Sequence, residues 1–363
     1  MIAIILGTRP EIIKMSPIIR ECERIREDYI ILHTGQHYSY EMDKTFFDEL
    51  ELPQPKYNLD AGSGSHAEQT GRILTGIEKI LINERPDIVL VQGDTNTVLA
   101  GALAAAKLHI KVGHVEAGLR SFDRAMPEEI NRIVSDHISD YLFAPTETAK
   151  NYLLKEGIEE SKIIVTGNTI VDAVYQNRDL SKKKADILGK YGLVPKSYIL
   201  VTAHRAENVD SPETLKNIIS TLEILAKEYS VPVFFPMHPR TKKMMDQFGL
   251  IPEKITIIDP VGFLEFLQLE SNARLVLTDS GGVQEETCIL GVPCVTLRTS
   301  TERPETIDTG ANVLAGTHTD QILKAAKQML SRQQDWKNPY GDGNAGERII
   351  TLCTNLLCAA RTS

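Results

Sequence analysis

Three carboxylates, Asp94, Glu116 and Glu128, stand in loops that follow short apolar runs. Gathered on one rim and shielded from water they would repel one another, raising at least one pKa and leaving a proton donor beside an acceptor. Asp94 alone could serve as the cap of a helix beginning near Thr97, and Glu128 could favour the positive end of its own helix. Glu116 directly follows a buried run and has no such local duty. A second chemistry is written in Leu277-Thr278-Asp279-Ser280-Gly281-Gly282-Val283-Gln284-Glu285-Glu286. Leu275 to Thr278 read as the end of a strand, Ser280 as a helix cap, and Gly281 and Gly282 as backbone that a ligand can approach closely. The free N–H groups and the helix dipole would face a phosphate, and Glu286, one turn on, a sugar hydroxyl. A nucleoside diphosphate fits; so, on these ten residues alone, does an ordinary cap without a ligand.

Basic residues occupy the matching turns. Arg9 and Lys14 flank the first strand-to-helix turn, with Pro10 suited to the first helical position. Arg9 reads as a phosphate ligand, whereas Lys14 stays open between phosphate and surface. His204 and Arg205 hold the equivalent turn in the second half, with Glu207 and Asn208 arguing against simple core packing; His238 and Arg240 are weaker candidates of the same kind. Two other patterns are discounted. Gly62-Ser63-Gly64-Ser65-His66-Ala67 fits a dinucleotide fingerprint but follows a weak strand and has no acidic partner at the right distance. His33 and His37 are four apart but not on one helical face, so no metal is expected.

These groups need a scaffold that brings strand ends together. Short β-branched runs at Ala3 to Leu6, Tyr29 to His33, Asp87 to Val91, Lys111 to Val115 and Tyr141 to Ala144 alternate with helical patterns. The alternation restarts at Tyr198 to Thr202, then Val231 to Pro236, Ile255 to Ile258, Leu275 to Thr278 and Cys294 to Leu297. This is βαβ repetition, predicting an α/β chain of two parallel sheets with a cleft between domains at the carboxyl ends of the strands. With 363 residues, 42% of them hydrophobic and 25% charged, there is enough chain for two cores. A net charge of −9 argues against nucleic acid and anionic membranes as partners. No apolar run is long enough to span a bilayer, and Met1 to Leu6 lack the form of a signal peptide. Five cysteines without a CxxC pair suit reduced thiols in a cytoplasmic protein.

Several motifs together resemble the non-hydrolysing UDP-N-acetylglucosamine 2-epimerases. They are Gly7-Thr8-Arg9-Pro10-Glu11, Gly113 to Arg120, Pro127-Glu128-Glu129, Gly167-Asn168-Thr169, His204 to Asn208, Thr278 to Glu286, Thr301 to Glu305 and Asn338 to Gly343. Each is weak alone; their order and spacing over nearly the whole chain are specific. The resemblance implies the GT-B architecture, two Rossmann-like domains spanning 1–169 and 170–345, with a C-terminal helix at 346–360 that returns to the first. It also implies interconversion of UDP-N-acetylglucosamine and UDP-N-acetylmannosamine without a cofactor, by a homodimer.

The proton on sugar carbon 2 is not acidic, so the route implied by the family eliminates UDP to 2-acetamidoglucal and adds it back after carbon 2 is protonated on the opposite face. By this resemblance Asp94, Glu116 and Glu128 manage the carbon 2 proton, with acid and base unassigned, and His204 lies beside the diphosphate. Arg9, Ser280, Gly281 and Gly282 would stabilise departing UDP, Glu286 would take the ribose, and uracil would sit near Phe266. Gln36, His37 and Gln69 resemble an activating second site, although Tyr38-Ser39-Tyr40 departs from the bacterial pattern. Gln92 stands where bacterial members often carry His. The rival readings are a hydrolysing relative that releases N-acetylmannosamine, a GT-B glycosyltransferase and a non-catalytic nucleotide-sugar sensor.

Overall fold

The computed structural model describes residues 1–35, 40–332 and 335–362. Their chain divides into two compact units, Met1–Tyr175 with Tyr340–Ser363, and Gln176–Pro339. The first holds seven strands: β1 (Ile2–Leu6), β2 (Tyr29–His33), β3 (Tyr57–Asn58), β4 (Ile88–Gln92), β5 (Lys111–Val115), β6 (Tyr141–Ala144) and β7 (Ile163–Val165). The second holds six: β8 (Ile199–Thr202), β9 (Val233–Pro236), β10 (Ile255–Ile258), β11 (Leu275–Thr278), β12 (Cys294–Thr296) and β13 (Asn312–Leu314). All pairings are parallel, which is why β1 and β4 are apolar and buried along nearly their whole length: helices cover both faces. The Val231 to Pro236 run becomes a strand only from Val233, because Pro232 has no N–H for the ladder.

Strand order places the candidate residues. The first sheet runs β3-β2-β1-β4-β5-β6-β7 and the second β10-β9-β8-β11-β12-β13. Chain direction across each sheet therefore reverses at one point, between β1 and β4 and between β8 and β11. Adjacent crossovers leave on opposite faces there, opening a crevice at the carboxyl ends where α/β sheets bind ligands. Arg9, Lys14 and Asp94 follow β1 and β4, with Glu116 after the neighbouring β5; His204, Arg205 and Ser280 to Gly282 follow β8 and β11.

Within the first unit the C-terminal helix Ala345–Thr362 packs on the helix Arg9–Ile25. A Cβ on Gly346 would lie 3.1 Å from the Pro17 carbonyl carbon, and the Gly346 N–H donates to Asp172 Oδ1 at 2.9 Å. Packing is as tight at Gly113 in β5, where a Cβ would stand 2.7 Å from Leu90 Cδ2 and 2.9 Å from Phe143 Cε2. Gly113→Ala is therefore expected to destabilise by about 1–3 kcal/mol through overpacking, measured as a lower urea midpoint at unchanged slope.

Candidate active site

Glu116 directly follows β5 with φ 67°, a left-handed conformation that a glutamate adopts only when its surroundings impose it. Its N–H and that of Ala117 both donate to the Phe143 carbonyl, at 3.1 and 3.2 Å, turning the chain sharply off the strand. The side chain is 3% exposed and is gripped by Lys14 Nζ, 2.7 and 2.8 Å from its two oxygens, and by the Gln92 amide. Lys14 is thus not a surface cation but half of a largely buried ion pair. Asp94 does not cap the next helix: Thr95 is the N-cap, and Asp94 instead pairs with Arg132, whose Nε donates to Oδ2 at 2.9 Å. The same guanidinium reaches Glu129 at 2.9 Å, while Asn131 fixes the Asp94 carbonyl at 2.9 Å. Glu128 lies partly exposed in the first turn of the helix Pro127–Ile138. Mutual repulsion among the three carboxylates is accordingly not what organises this rim: Glu116 is paired with Lys14, and Asp94 with an Arg132 that it shares with Glu129. Arg9 stands partly exposed with its guanidinium 5.4 Å from the centre of the Phe46 ring.

Behind the rim, His114 Nδ1 is 2.7 Å from Asp136 Oδ1 and Nε2 is 2.8 Å from the Gly93 carbonyl. Both neighbours are acceptors, so both ring nitrogens must donate and the imidazole is protonated. Burial opposes that charge, but Asp136 and the Gly93 carbonyl outweigh it and raise the His114 pKa. Burial likewise pushes the Asp136 carboxyl up, yet His114 and Arg120, 2.7 Å away, hold it below its ordinary value. The histidine's contribution to stability is complete below its unfolded pKa and lost as pH rises through its raised folded value; that of Asp136 is lost only in acid. Unfolding free energy is thus expected to decline as the pH is taken above neutral, and His114→Phe, measured by denaturant titration at several pH values, should show a shallower slope.

In the second unit Asp279, wholly buried after β11, accepts from the N–H groups of His204 and Arg205, both at 2.9 Å, and from Asn208 Nδ2 at 3.0 Å. Its other oxygen lies 3.2 Å from His204 Nδ1. Burial acts to raise the Asp279 pKa, but these donors, His204 foremost, hold it low. His204 is not a core histidine: it is 44% exposed and its ring centre is 5.6 Å from that of the exposed His238. His238 accepts from the Arg240 N–H at 3.2 Å, and its own pKa is lowered by burial and by His204 and Arg240. Arg240 is engaged with Asp210. Ser280 takes the N-cap position of the helix Gly281–Leu290, but its hydroxyl makes no cap hydrogen bond, contrary to the expected role. A Cβ on Gly281 or Gly282 would find nothing nearer than 3.9 Å, so the positive end of this helix is open. Beside it, Arg298 offsets the effect of burial and holds Glu302 down to about 2. Glu286 is nearly buried, next to fully buried Glu270, and Phe266 lies on the helix Phe263–Asn272 against the apolar cluster of that unit.

Gln36 and His37 lie outside the described residues. Gln69 is buried and uses both ends of its amide, donating to the Gly62 carbonyl at 2.7 Å and accepting from Asn96 at 2.8 Å. The Gly62 to Ala67 stretch is the approach to a helix capped by Ser65 and Glu68. Arg132 and Asp136 hold the rim in place without having been singled out in the sequence, and His114 and Asp279 stand inside quoted motifs without a role having been read for them. Glu129 at three residues' spacing could have pointed to Arg132, but the same spacing marks ordinary surface pairs.

Both units are doubly wound sheets of the GT-B kind, and the chain belongs to the UDP-N-acetylglucosamine 2-epimerase family, whose model matches residues 20–354. It is 59% identical over 360 residues to the UDP-N-acetylglucosamine 2-epimerase of Methanocaldococcus jannaschii, covering 97% of this chain and 98% of that protein. The crystal structure of the M. jannaschii UDP-GlcNAc 2-epimerase in complex with UDP-GlcNAc and UDP matches with a TM-score of 0.88 and 59% identity, over 98% of this chain and 99% of that one. The chain is also 44% identical over 358 residues to the UDP-2,3-diacetamido-2,3-dideoxy-D-glucuronate 2-epimerase of Pseudomonas aeruginosa, covering 97% and 99% respectively.

Proposed function

We propose that this chain reversibly converts UDP-N-acetylglucosamine to UDP-N-acetylmannosamine by eliminating UDP and adding it back to the glycal. Glu116 carries the reading: a glutamate forced into left-handed backbone, buried, and paired with Lys14 and Gln92 is a costly arrangement for stability alone. In the proposed route a carboxylate of the first unit takes the carbon 2 proton as the anomeric bond to UDP breaks, and a second delivers a proton to the opposite face. Asp94, Glu116 and Glu128 supply these groups, Lys14 and Arg132 orienting the first two. The leaving diphosphate is met by the open N-terminus of the helix Gly281–Leu290, with His204 and Arg205 beside it and Arg9 as a further cation. Glu286 would accept from the ribose and Phe266 would lie near uracil.

The enzyme is proposed to act as a cytoplasmic homodimer. Reduced thiols fit that compartment: Cys22, Cys288, Cys294 and Cys353 are free and buried, and burial pushes the last three up to about 12. Proton NMR of the protein with UDP-N-acetylglucosamine, following the anomeric signals, tests the activity. A fixed ratio of the two UDP-sugars is expected; stoichiometric UDP with free N-acetylmannosamine would instead mark a hydrolase. UDP-2,3-diacetamido-2,3-dideoxy-D-glucuronate belongs in the same assay, and faster turnover of that sugar would move the substrate assignment to it.

A further inference from the structure

Glu11 is a buried titratable group for which the proposed reaction has no direct use. It sits in the first turn of the helix Arg9–Ile25, 3% exposed, at the place where a nucleotide-binding turn would hold an anion. Its Oε2 accepts from the N–H groups of Gly7 at 2.6 Å and Thr8 at 3.0 Å, so the chain fills that place with its own carboxylate. Its Oε1 accepts from the Thr95 hydroxyl at 2.5 Å. Thr95 directly follows Asp94, and its side chain makes no cap hydrogen bond to its own helix. One carboxylate thus ties the turn after β1 to the turn after β4, across the switch point of the sheet.

We propose that Glu11 is the positioning residue for Asp94: ionised, it accepts the Thr95 hydroxyl and fixes the Gly93-Asp94-Thr95 turn, and on taking a proton it releases that turn. Proton uptake would convert one acceptor oxygen into a donor while the other keeps the Gly7 and Thr8 N–H groups, so the bond to Thr95 is the one that must reverse. The ionisable group facing Glu11 from another element is Asp94, itself paired with Arg132; on its own helix stand Arg9 and Lys14, the latter committed to Glu116. Burial, opposed by Thr95, Gly7 and Thr8 and reinforced by Asp94, pushes Glu11 up to about 7, so the change falls where enzymes work. Since this folded value exceeds the ordinary one, the group's contribution to stability is complete below the ordinary value and lost as pH rises through about 7.

The inference rests on the proposed epimerisation, and the test separates the two. Rates of UDP-N-acetylglucosamine epimerisation between about pH 6 and 8 and UDP affinity by calorimetry are measured in wild type, Glu11→Gln, Thr95→Val and Thr95→Ser, and the carbon-13 carboxyl titration of Glu11 in wild type and the two Thr95 variants. In wild type kcat should fall with acid as Glu11 protonates. Glu11→Gln should lower kcat roughly 10-fold at the alkaline end and abolish the acid limb, with KM and UDP affinity held within about twofold. It should also be more stable than wild type above neutral pH, a pairing of lower turnover with higher stability that a purely structural group would not give. Thr95→Val should reproduce the loss and Thr95→Ser restore it. An acid limb kept in Glu11→Gln, wild-type turnover in Thr95→Val, or a Glu11 carboxyl titrating in the ordinary range would overturn the proposal with the epimerase reading intact. Wild type that epimerises no UDP-sugar would overturn that reading and this catalytic role with it.

Discussion

Glu116→Gln is expected to lower kcat about 10³-fold, the magnitude typical of a lost acid–base group, while calorimetric affinity for UDP stays within about twofold. The amide keeps the shape of the side chain and one acceptor oxygen, but its NH2 group then faces Lys14, which donates to both oxygens of the carboxylate in the wild type. Removing one charge of a buried pair also has a structural cost, because Lys14, 11% exposed, then loses the carboxylate it grips. A thermal melt measures that cost, and the double variant Lys14→Met with Glu116→Gln separates it from chemistry. Stability should return in part as the ammonium is removed, whereas turnover should not. Recovery of turnover in the double variant would reduce Glu116 to a fold residue, and single-variant turnover within tenfold of wild type would remove it from the proton chemistry. Solvent deuterium gives the complementary reading: wild type should place deuterium at carbon 2 of both UDP-sugars, and unlabelled product would remove the elimination route.

The scaffold was legible because parallel strands announce themselves locally. Runs such as Ile88 to Val91 are apolar along their length, bounded by polar turns and followed by helical patterns, and their repetition fixes both the sheet type and the rim on which polar residues gather. Glu116 was legible for the same reason, as a carboxylate directly after such a run. Its pairings were not. Lys14 is 102 residues away in sequence, and an amphipathic helix offers no local sign that one of its lysines turns inward. Asp94 illustrates the converse problem: position beside a helix start suggests a cap, but the guanidinium of Arg132 competes for the carboxylate and Thr95 becomes the N-cap. The pair His114 and Asp136 depends on β5 meeting the helix Pro127–Ile138, a tertiary fact. Glu11 did carry a signal, since Thr8-Arg9-Pro10-Glu11 has capping-box spacing, yet that pattern reports a helix start and is silent about Thr95.

Gly282→Val is expected to weaken UDP binding by about 100-fold, close to 2.7 kcal/mol, without harming the fold. The two outcomes separate because of how differently the two switch-point turns use glycine. At Gly7 a Cβ would stand 2.0 Å from Thr34 Oγ1 and 2.4 Å from Thr97 Oγ1, so any side chain there must break the hydroxyl pair those threonines form at 2.7 Å. At Gly282 the nearest atom to a Cβ is Ser280 Oγ at 3.9 Å, and φ is not in the glycine-favouring region. The fold leaves space that only a ligand has reason to occupy, and a side chain would even improve helix propensity over glycine by a few tenths of a kcal/mol. A branched side chain in that space displaces the diphosphate from the N–H groups at the helix start, where the dipole and unsatisfied donors make an anion most favourable. Thermal stability should therefore hold or rise slightly while affinity collapses, with Gly282→Ala intermediate. Affinity within threefold of wild type in Gly282→Val would place the diphosphate elsewhere, and equal losses of stability and affinity would mean that the glycine serves the helix rather than the nucleotide.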